Sequence, residues 1–331
     1  MAAIPLDIPD GWQRSARRIL GEGWQRILVV GASDRGKSSY CKFLVNALLQ
    51  EERKVSFVDA DIGQKDVGPP ATVTLADFDA PMDFDQAVSS GMYFVGHISP
   101  FAHFLPLVVG TRQMVEAARG EFVVIDTAGL VQDRGRVLAG FQIESLRPDV
   151  LVGLEWDDEL APIRHAARHC NILRLRPSRL ATRKSAELRR QVREEAFRAH
   201  FQGASEIELK LDRITVQRTS LFNGTLVADP RFIYAESFPD GLIGVAAEGP
   251  DEGLERVQAL PRNFADQLVC GIVGKGGKCL GLGICTRIDF TDRSLMLYTS
   301  VPKRGIHIVQ FGDMYLDQNG HELRLGRLGQ F

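Results

Sequence analysis

The sequence predicts an α/β fold in two parts, a parallel sheet with crossover helices on both faces followed by a smaller β-rich domain. Three observations carry this expectation. Short apolar runs at 27–30, 55–58, 122–125 and 150–154 alternate with segments of helical spacing, the pattern of strands buried on both faces. The first of those runs opens through a glycine-rich turn into a helix. After Gly203 the spacing changes to period 2, and 331 residues exceed what one ordinary core needs, so the chain divides into 1–204 and 205–331.

In chain order, GWQRSARRILG at 11–21 has helical spacing, and Arg26 leads into the first strand, which ends at Gly31. Residues 37–50 form the helix after the turn, and 55–58, 122–125 and 150–154 supply further buried strands. A strong helix covers about 183–202. Beyond it, Ile207/Leu209/Leu211, Ile214/Val216 and Ile306/Ile308 alternate as strands do. LVCGIVGKGGKCLGLGIC at 268–285 reads as two strands joined at Gly276-Gly277, since no helix with Lys-Ser/Thr follows that glycine cluster. Trp12 and Trp24 are packing residues.

Composition sets the class. Hydrophobic residues at 44% and charged residues at 25% describe a folded chain rather than a disordered one. No apolar run reaches a membrane span, and the N-terminal MAAIPLDIPDGWQR has no basic head before a long apolar segment, so neither membrane nor secretory signal is expected. Five cysteines with no C-x-x-C clip fit a reduced, cytoplasmic protein without structural zinc. The net charge of −2 hides a local block: residues 163–198 hold ten Arg and Lys184 against three Glu. Such a block in an otherwise acidic chain suggests an anionic ligand bound at one place.

The sharpest signal is GASDRGKSS, which follows a strand, opens a helix and fits G-x-x-x-x-G-K-[ST]. The first domain is therefore expected to be a P-loop NTPase sheet. Gly31, Ala32, Ser33, Asp34, Arg35, Gly36, Lys37, Ser38 and Ser39 are the candidate nucleotide-binding residues. The glycines let backbone N–H groups converge on phosphate oxygens, and the helix N-terminus adds positive potential. Lys37 brings a point charge to the β/γ-phosphates, and Ser38 brings a hydroxyl to Mg²⁺, with Asp126 as the second candidate metal ligand.

The third strand ends in Asp126-Thr127-Ala128-Gly129, a D-x-x-G, yet no N-K-x-D or T-K-x-D follows for guanine, which argues against a signalling GTPase. The second strand ends in FVDADIGQ, placing carboxylates at the sheet rim where the γ-phosphate projects and where a phosphotransferase needs a base. Asp59 and Asp61 point to the same side of an extended segment, so either could face the nucleotide. On the basic helix, Arg190 and Arg198 have acidic neighbours at helical spacing; Arg189 and Arg193 have none and form a like-charged pair one turn apart. Two arginines on one stripe without acidic partners are what an external phosphate wants.

In this order, GASDRGKSS, FVDADIGQ, GHISP, DTAG and RRQVR resemble the polynucleotide 5′-hydroxyl kinases. That family includes the pre-mRNA-cleavage and ribosomal-RNA-processing RNA kinases and their shorter prokaryotic relatives. The resemblance covers residues 8–203 and continues more weakly into FGDMYLDQNGHEL. It implies transfer of the γ-phosphate of ATP (or GTP), with Mg²⁺, to the 5′-hydroxyl of a nucleic acid, RNA ahead of DNA. Asp61 then matches the general base, Gln64 the residue beside it, and Arg189 and Arg193 an R-x-x-x-R lid over the phosphates. Thr127 and Gly129 match a T-x-G-W clasp on the terminal nucleotide, and His97 falls where the family contacts substrate. Leu130 departs from that pattern, standing where an aromatic would stack. With the loop starting at residue 31, the N-terminal β domain of the larger relatives is not expected here. The C-terminal domain is expected to support the kinase domain or to bind a protein partner. The competing readings are a P-loop ATPase switch and a nucleotide-bound scaffold of an RNA-processing complex.

Overall fold

A computed structural model describes residues 7–246 and 257–323. The chain forms two compact units, divided between Ala196 and Phe197. The first runs α1 (Asp10–Glu22), β1 (Arg26–Gly31), α2 (Lys37–Gln50), β2 (Val55–Ala60), β3 (Thr72–Phe78), β4 (Gly91–Phe94) and α3 (Phe104–Ala117). It continues with β5 (Phe122–Thr127), α4 (Arg134–Leu146), β6 (Val150–Leu154), α5 (Ala161–Ala166), β7 (Asn171–Leu175) and α6 (Ala186–His200), within which the division falls.

Among the described residues, seven strands form one sheet in the order β4-β3-β2-β5-β1-β6-β7. β2, β5, β1, β6 and β7 are parallel, as the apolar runs predict. The two outermost strands on one side depart from the all-parallel expectation: β3 pairs antiparallel with β2, and β4 antiparallel with β3. β3 escapes an apolar-run search because Thr72 and Thr74 sit in it. Both are fully buried, and burial is tolerated because their hydroxyls donate to the carbonyls of Pro69 and Val67 at 2.6 Å.

Alternation along each central strand builds two cores. Ile27 and Val29 of β1 pack with α1 and α2 residues such as Trp12, Ile19, Leu44 and Leu48. Leu28 and Val30 face the other way, toward Leu107 of α3, Leu138 of α4 and Ile163 of α5. Helices therefore cover both faces. Trp12 is fully buried, with its indole N–H donating to the Arg176 carbonyl at 3.1 Å. Among the described residues no helix is long and apolar enough to cross a membrane.

The second unit is β-rich. It comprises β8 (Ser205–Lys210), β9 (Thr215–Gln217), β10 (Thr225–Leu226), β11 (Phe232–Phe238), β12 (Gly241–Ala246), β13 (Val257–Leu260), β14 (Leu268–Val273), β15 (Cys279–Asp289), β16 (Ser294–Thr299), β17 (Ile308–Leu316) and β18 (Glu322–Leu323). One sheet has the order β10-β11-β12-β13; the other has β18-β17-β14-β15-β16-β8, with β9 beside β17. β14 and β15 are the antiparallel hairpin read from the glycine cluster, and Gly276 and Gly277 supply the left-handed turn with φ of 84° and 83°.

Candidate active site

β1 ends at Gly31 and α2 begins at Lys37, so the glycine-rich segment is the strand-to-helix turn that the motif demands. Gly31 has no room for a side chain: a Cβ there would lie 2.8 Å from the Leu154 carbonyl oxygen on the neighbouring strand. Gly36 caps α2 with φ of 75°, and Asp34 is also left-handed at 61°. The Lys37 side chain is nearly buried, its Nζ donating to the Ala32 carbonyl at 3.2 Å, which holds the ammonium under the loop.

Parallel pairing of β2 with β5 sets Asp59 beside Asp126 at the carboxyl rim of the sheet. Both carboxylates are buried, yet their surroundings differ. Asp59 ion-pairs with buried Lys65 at 3.0 Å and accepts the backbone N–H groups of Asp61, Asp66 and Val67. Burial is the main force raising its pKa, to about 6, with Lys65 opposing. The acceptors of Asp59 are spent organising the loop that follows β2.

Asp126 accepts the Ser38 hydroxyl at 2.6 Å through Oδ2, while Oδ1 is buried with no hydrogen-bond partner. Burial pushes its pKa up to about 8; Lys37 opposes, whereas Asp59 and Asp61 add to the rise. A buried carboxylate oxygen without a partner, next to a serine hydroxyl, is a hard-oxygen donor set that fits a divalent cation such as Mg²⁺.

Asp61 directly follows the last residue of β2. Its Oδ1 accepts the N–H groups of Gly63 and Gln64 at 3.0 and 3.1 Å, fixing the carboxylate on a tight turn. Asp61, not Asp59, lines a cavity of about 250 Å³ together with Ser33, Asp34, Gly36, Lys37, Ser38, Ser39, Gln64 and Arg189. Of the two carboxylates that the extended segment offers, Asp61 is the one that faces the cavity.

α6 brings Arg189 to this cavity, and here one expectation is corrected. Arg189 has no acidic neighbour in its helix, but it is not unpaired: Nη2 meets Oδ2 of Asp34, in the phosphate loop, at 2.5 Å. Helical spacing cannot reveal a partner 155 residues away. Gln64 joins the loop after β2 to α6, donating to the carbonyls of Gly63 at 2.7 Å and Arg189 at 3.3 Å, with its Oε1 buried and without a partner. Arg190 pairs within its helix as expected, with Glu187 at 3.0 Å and Glu194 at 4.0 Å. Thr182 and Lys184 also line the cavity without matching any motif; the only signal for them is that Lys184 falls within the basic block.

Of the sequence candidates, Gly31, Ala32, Arg35 and Asp126 lie outside the residues lining this cavity, as do Arg193, His97, Thr127 and Gly129. Thr127 is buried, its hydroxyl donating to the Val29 carbonyl at 2.7 Å. Gly129 packs on the phosphate loop, where an added Cβ would be 2.6 Å from the Ser33 nitrogen. The His97 ring accepts the Ser99 N–H at 2.9 Å and stacks on His103 with centroids 4.8 Å apart. The loop carrying it lies against the Asp61 turn, since a Cβ on Gly63 would meet the Ile98 carbonyl oxygen at 2.7 Å.

The family model described as mRNA cleavage and polyadenylation factor CLP1 P-loop matches residues 31–203. The chain is 30% identical to a polyribonucleotide 5′-hydroxyl-kinase of Pyrococcus furiosus, over 97% of this chain and 96% of that one. It is 24% identical to the polyribonucleotide 5′-hydroxyl-kinase Clp1 of Xenopus tropicalis, over 86% of this chain and 68% of that one. The structure of Clp1p in complex with Pcf11p shares the fold, with a TM-score of 0.63 at 14% identity, covering 92% of this chain and 78% of that one.

Proposed function

The chain belongs to the CLP1 P-loop family, and from that membership we propose how this polynucleotide 5′-hydroxyl kinase works. It moves the γ-phosphate of a nucleoside triphosphate to the 5′-hydroxyl of a polynucleotide. The polynucleotide is RNA, in keeping with the polyribonucleotide kinases that the chain resembles over nearly its whole length, and the nucleotide we assign is ATP.

One observation carries the assignment of roles: Lys37, Ser38, Asp61 and Arg189 face a single cavity at the end of the sheet. Asp61, locked by two backbone N–H groups, takes the proton of the attacking hydroxyl. Lys37 and Arg189, with Arg193 one turn further along α6, neutralise charge on the phosphoryl group in flight. Ser38 and Asp126 would hold Mg²⁺, which when bound supplies a further positive charge to the phosphate oxygens. Gln64 ties the Asp61 turn to α6, so the base and the lid arginine move as one unit. Residues 1–204 carry this chemistry, and the β-rich remainder supports it.

The test is transfer of label from γ-labelled ATP or GTP to matched 5′-hydroxyl RNA and DNA. Label moving from ATP to RNA more efficiently than to DNA supports the reading. Preference for DNA overturns the substrate, and transfer from GTP alone overturns the nucleotide.

A further inference from the structure

If the clasp position carries leucine, something else must hold the base of the terminal nucleotide. Leu130 does not project as a clasp would: its side chain folds onto the first turn of α4, where a Cβ on Gly135 would lie 2.8 Å from Leu130 Cγ. Phe101 and Phe141 are the exposed aromatic residues among those described, and Phe101, 55% exposed, sits in the loop between β4 and α3. That loop is built to keep its shape. His97 and His103 stack across its base at 4.8 Å and 3°, the Phe101 N–H donates to Ser99 Oγ, and the His103 N–H donates to the Pro100 carbonyl. The ring is thus held in place with half of its surface open to water, so a ligand can meet it without first ordering the loop.

What faces the ring gives the chemistry of that ligand. The Arg134 guanidinium lies 5.1 Å from the Phe101 centroid, covering one face, and no carboxylate among the described residues pairs with it. Arg134 opens α4, directly after the loop whose Gly129 packs on the phosphate-loop Ser33. On the other side, Ile98 packs on the Asp61 turn, and Phe101 is three residues further along the chain, at most about 10 Å away. A ring backed by a guanidinium, on a loop that touches the Asp61 turn, combines the stacking face and the positive charge that single-stranded nucleic acids use. We propose that Phe101, held by Arg134, is the stacking platform for the base of the 5′-terminal nucleotide, in place of an aromatic at position 130. This rests on the kinase reading above and adds its substrate contact.

The experiment is steady-state transfer from labelled ATP to a 5′-hydroxyl oligoribonucleotide by the full chain. Phe101→Ala raises KM for RNA by roughly 5- to 150-fold, the loss of one stacked base, and leaves KM for ATP unchanged. Phe101→Trp keeps the wild-type KM or lowers it. With a substrate lacking the 5′-terminal base, wild type shows the same raised KM and Phe101→Ala adds nothing to it. Phe141→Ala, the other exposed aromatic, changes neither constant. An unchanged KM for RNA in Phe101→Ala, with wild type active, overturns the platform while leaving the kinase reading intact; Phe101 then serves a protein partner. Wild-type protein that labels no polynucleotide overturns both.

Discussion

Replacing Arg189 with alanine does more than remove a cation from the phosphates, because it also strands Asp34. The Arg189–Asp34 contact at 2.5 Å is partly buried, with side-chain exposures of 27% and 16%. A hydrogen bond to a charged group contributes about 1.5–3 kcal/mol when sheltered; at this exposure about 1–2 kcal/mol is reasonable. Once unpaired, the Asp34 carboxylate confronts the incoming triphosphate from within the loop that must bind it. For a phosphate oxygen about 6 Å away and an effective dielectric near 20, the repulsion is on the order of 3 kcal/mol, or about 10²-fold in affinity. Arg189→Ala is therefore expected to raise KM for ATP by about 10- to 100-fold, besides lowering kcat by ~10³-fold or more as an arginine-finger loss does. Asp34→Ala in the same chain should restore KM while leaving kcat low, a coupling of about 1–3 kcal/mol between the two sites. Arg190→Ala, whose half-exposed guanidinium pairs with Glu187 and Glu194 rather than facing the cavity, should cost about 0.2–1 kcal/mol of stability and spare turnover. The assay is kcat and KM for ATP across wild type, the three single variants and the double variant. Additive effects at 34 and 189, or an Arg190→Ala defect equal to that of Arg189→Ala, would refute the reasoning.

Asp61→Asn should lower transfer by ~10²–10⁴-fold with ATP affinity kept within a few-fold, whereas Asp59→Asn, which breaks the buried pair with Lys65, should show chiefly in thermal stability; the two variants' kcat and melting curves check this. Gly129→Ala should push the Ser33 backbone out of place and weaken nucleotide binding, measured by titration calorimetry, because its Cβ would overlap Ser33. His200 accepts the Leu282 N–H, and burial lowers its pKa from 6.5 to about 4. The unfolded chain binds that proton more readily, so this contribution is complete above pH 6.5 and lost as pH falls toward 4. The loss amounts to about 3 kcal/mol, and denaturant melts of His200→Gln should lack that part of the pH dependence.

Much of the first unit was legible because its central strands are buried on both faces. Burial on both faces leaves continuous apolar runs, and the turn at 31–36 has only one common strand-to-helix use. β3, β4 and β7 were not legible for physical reasons. β3 buries threonines that satisfy themselves locally, β4 is four residues long, and β7 at the sheet edge alternates buried Leu173 and Leu175 with exposed Arg174. The site divides along the same line. Lys37 and Ser38 could be read from spacing alone, since the motif fixes both the residues and their geometry. Which of Asp59 and Asp61 faces the cavity is not legible from their spacing, because what separates them is Lys65 and three backbone N–H groups that only the folded loop brings to Asp59. The Asp34–Arg189 pair joins the first crossover to the last helix of the unit, a contact no local pattern encodes.

The central claim is that phosphate leaving the nucleotide over Lys37 is captured by a 5′-hydroxyl held at Asp61, not by water. A single-turnover reaction with γ-labelled ATP, Mg²⁺ and excess 5′-hydroxyl RNA measures it, with label counted in RNA and in inorganic phosphate and Lys37→Ala as the blank. The account predicts label predominantly in RNA for wild type, with Asp61→Asn slowing its appearance there. Label appearing as inorganic phosphate at a rate indifferent to RNA would contradict it and make the protein a nucleotide-hydrolysing switch.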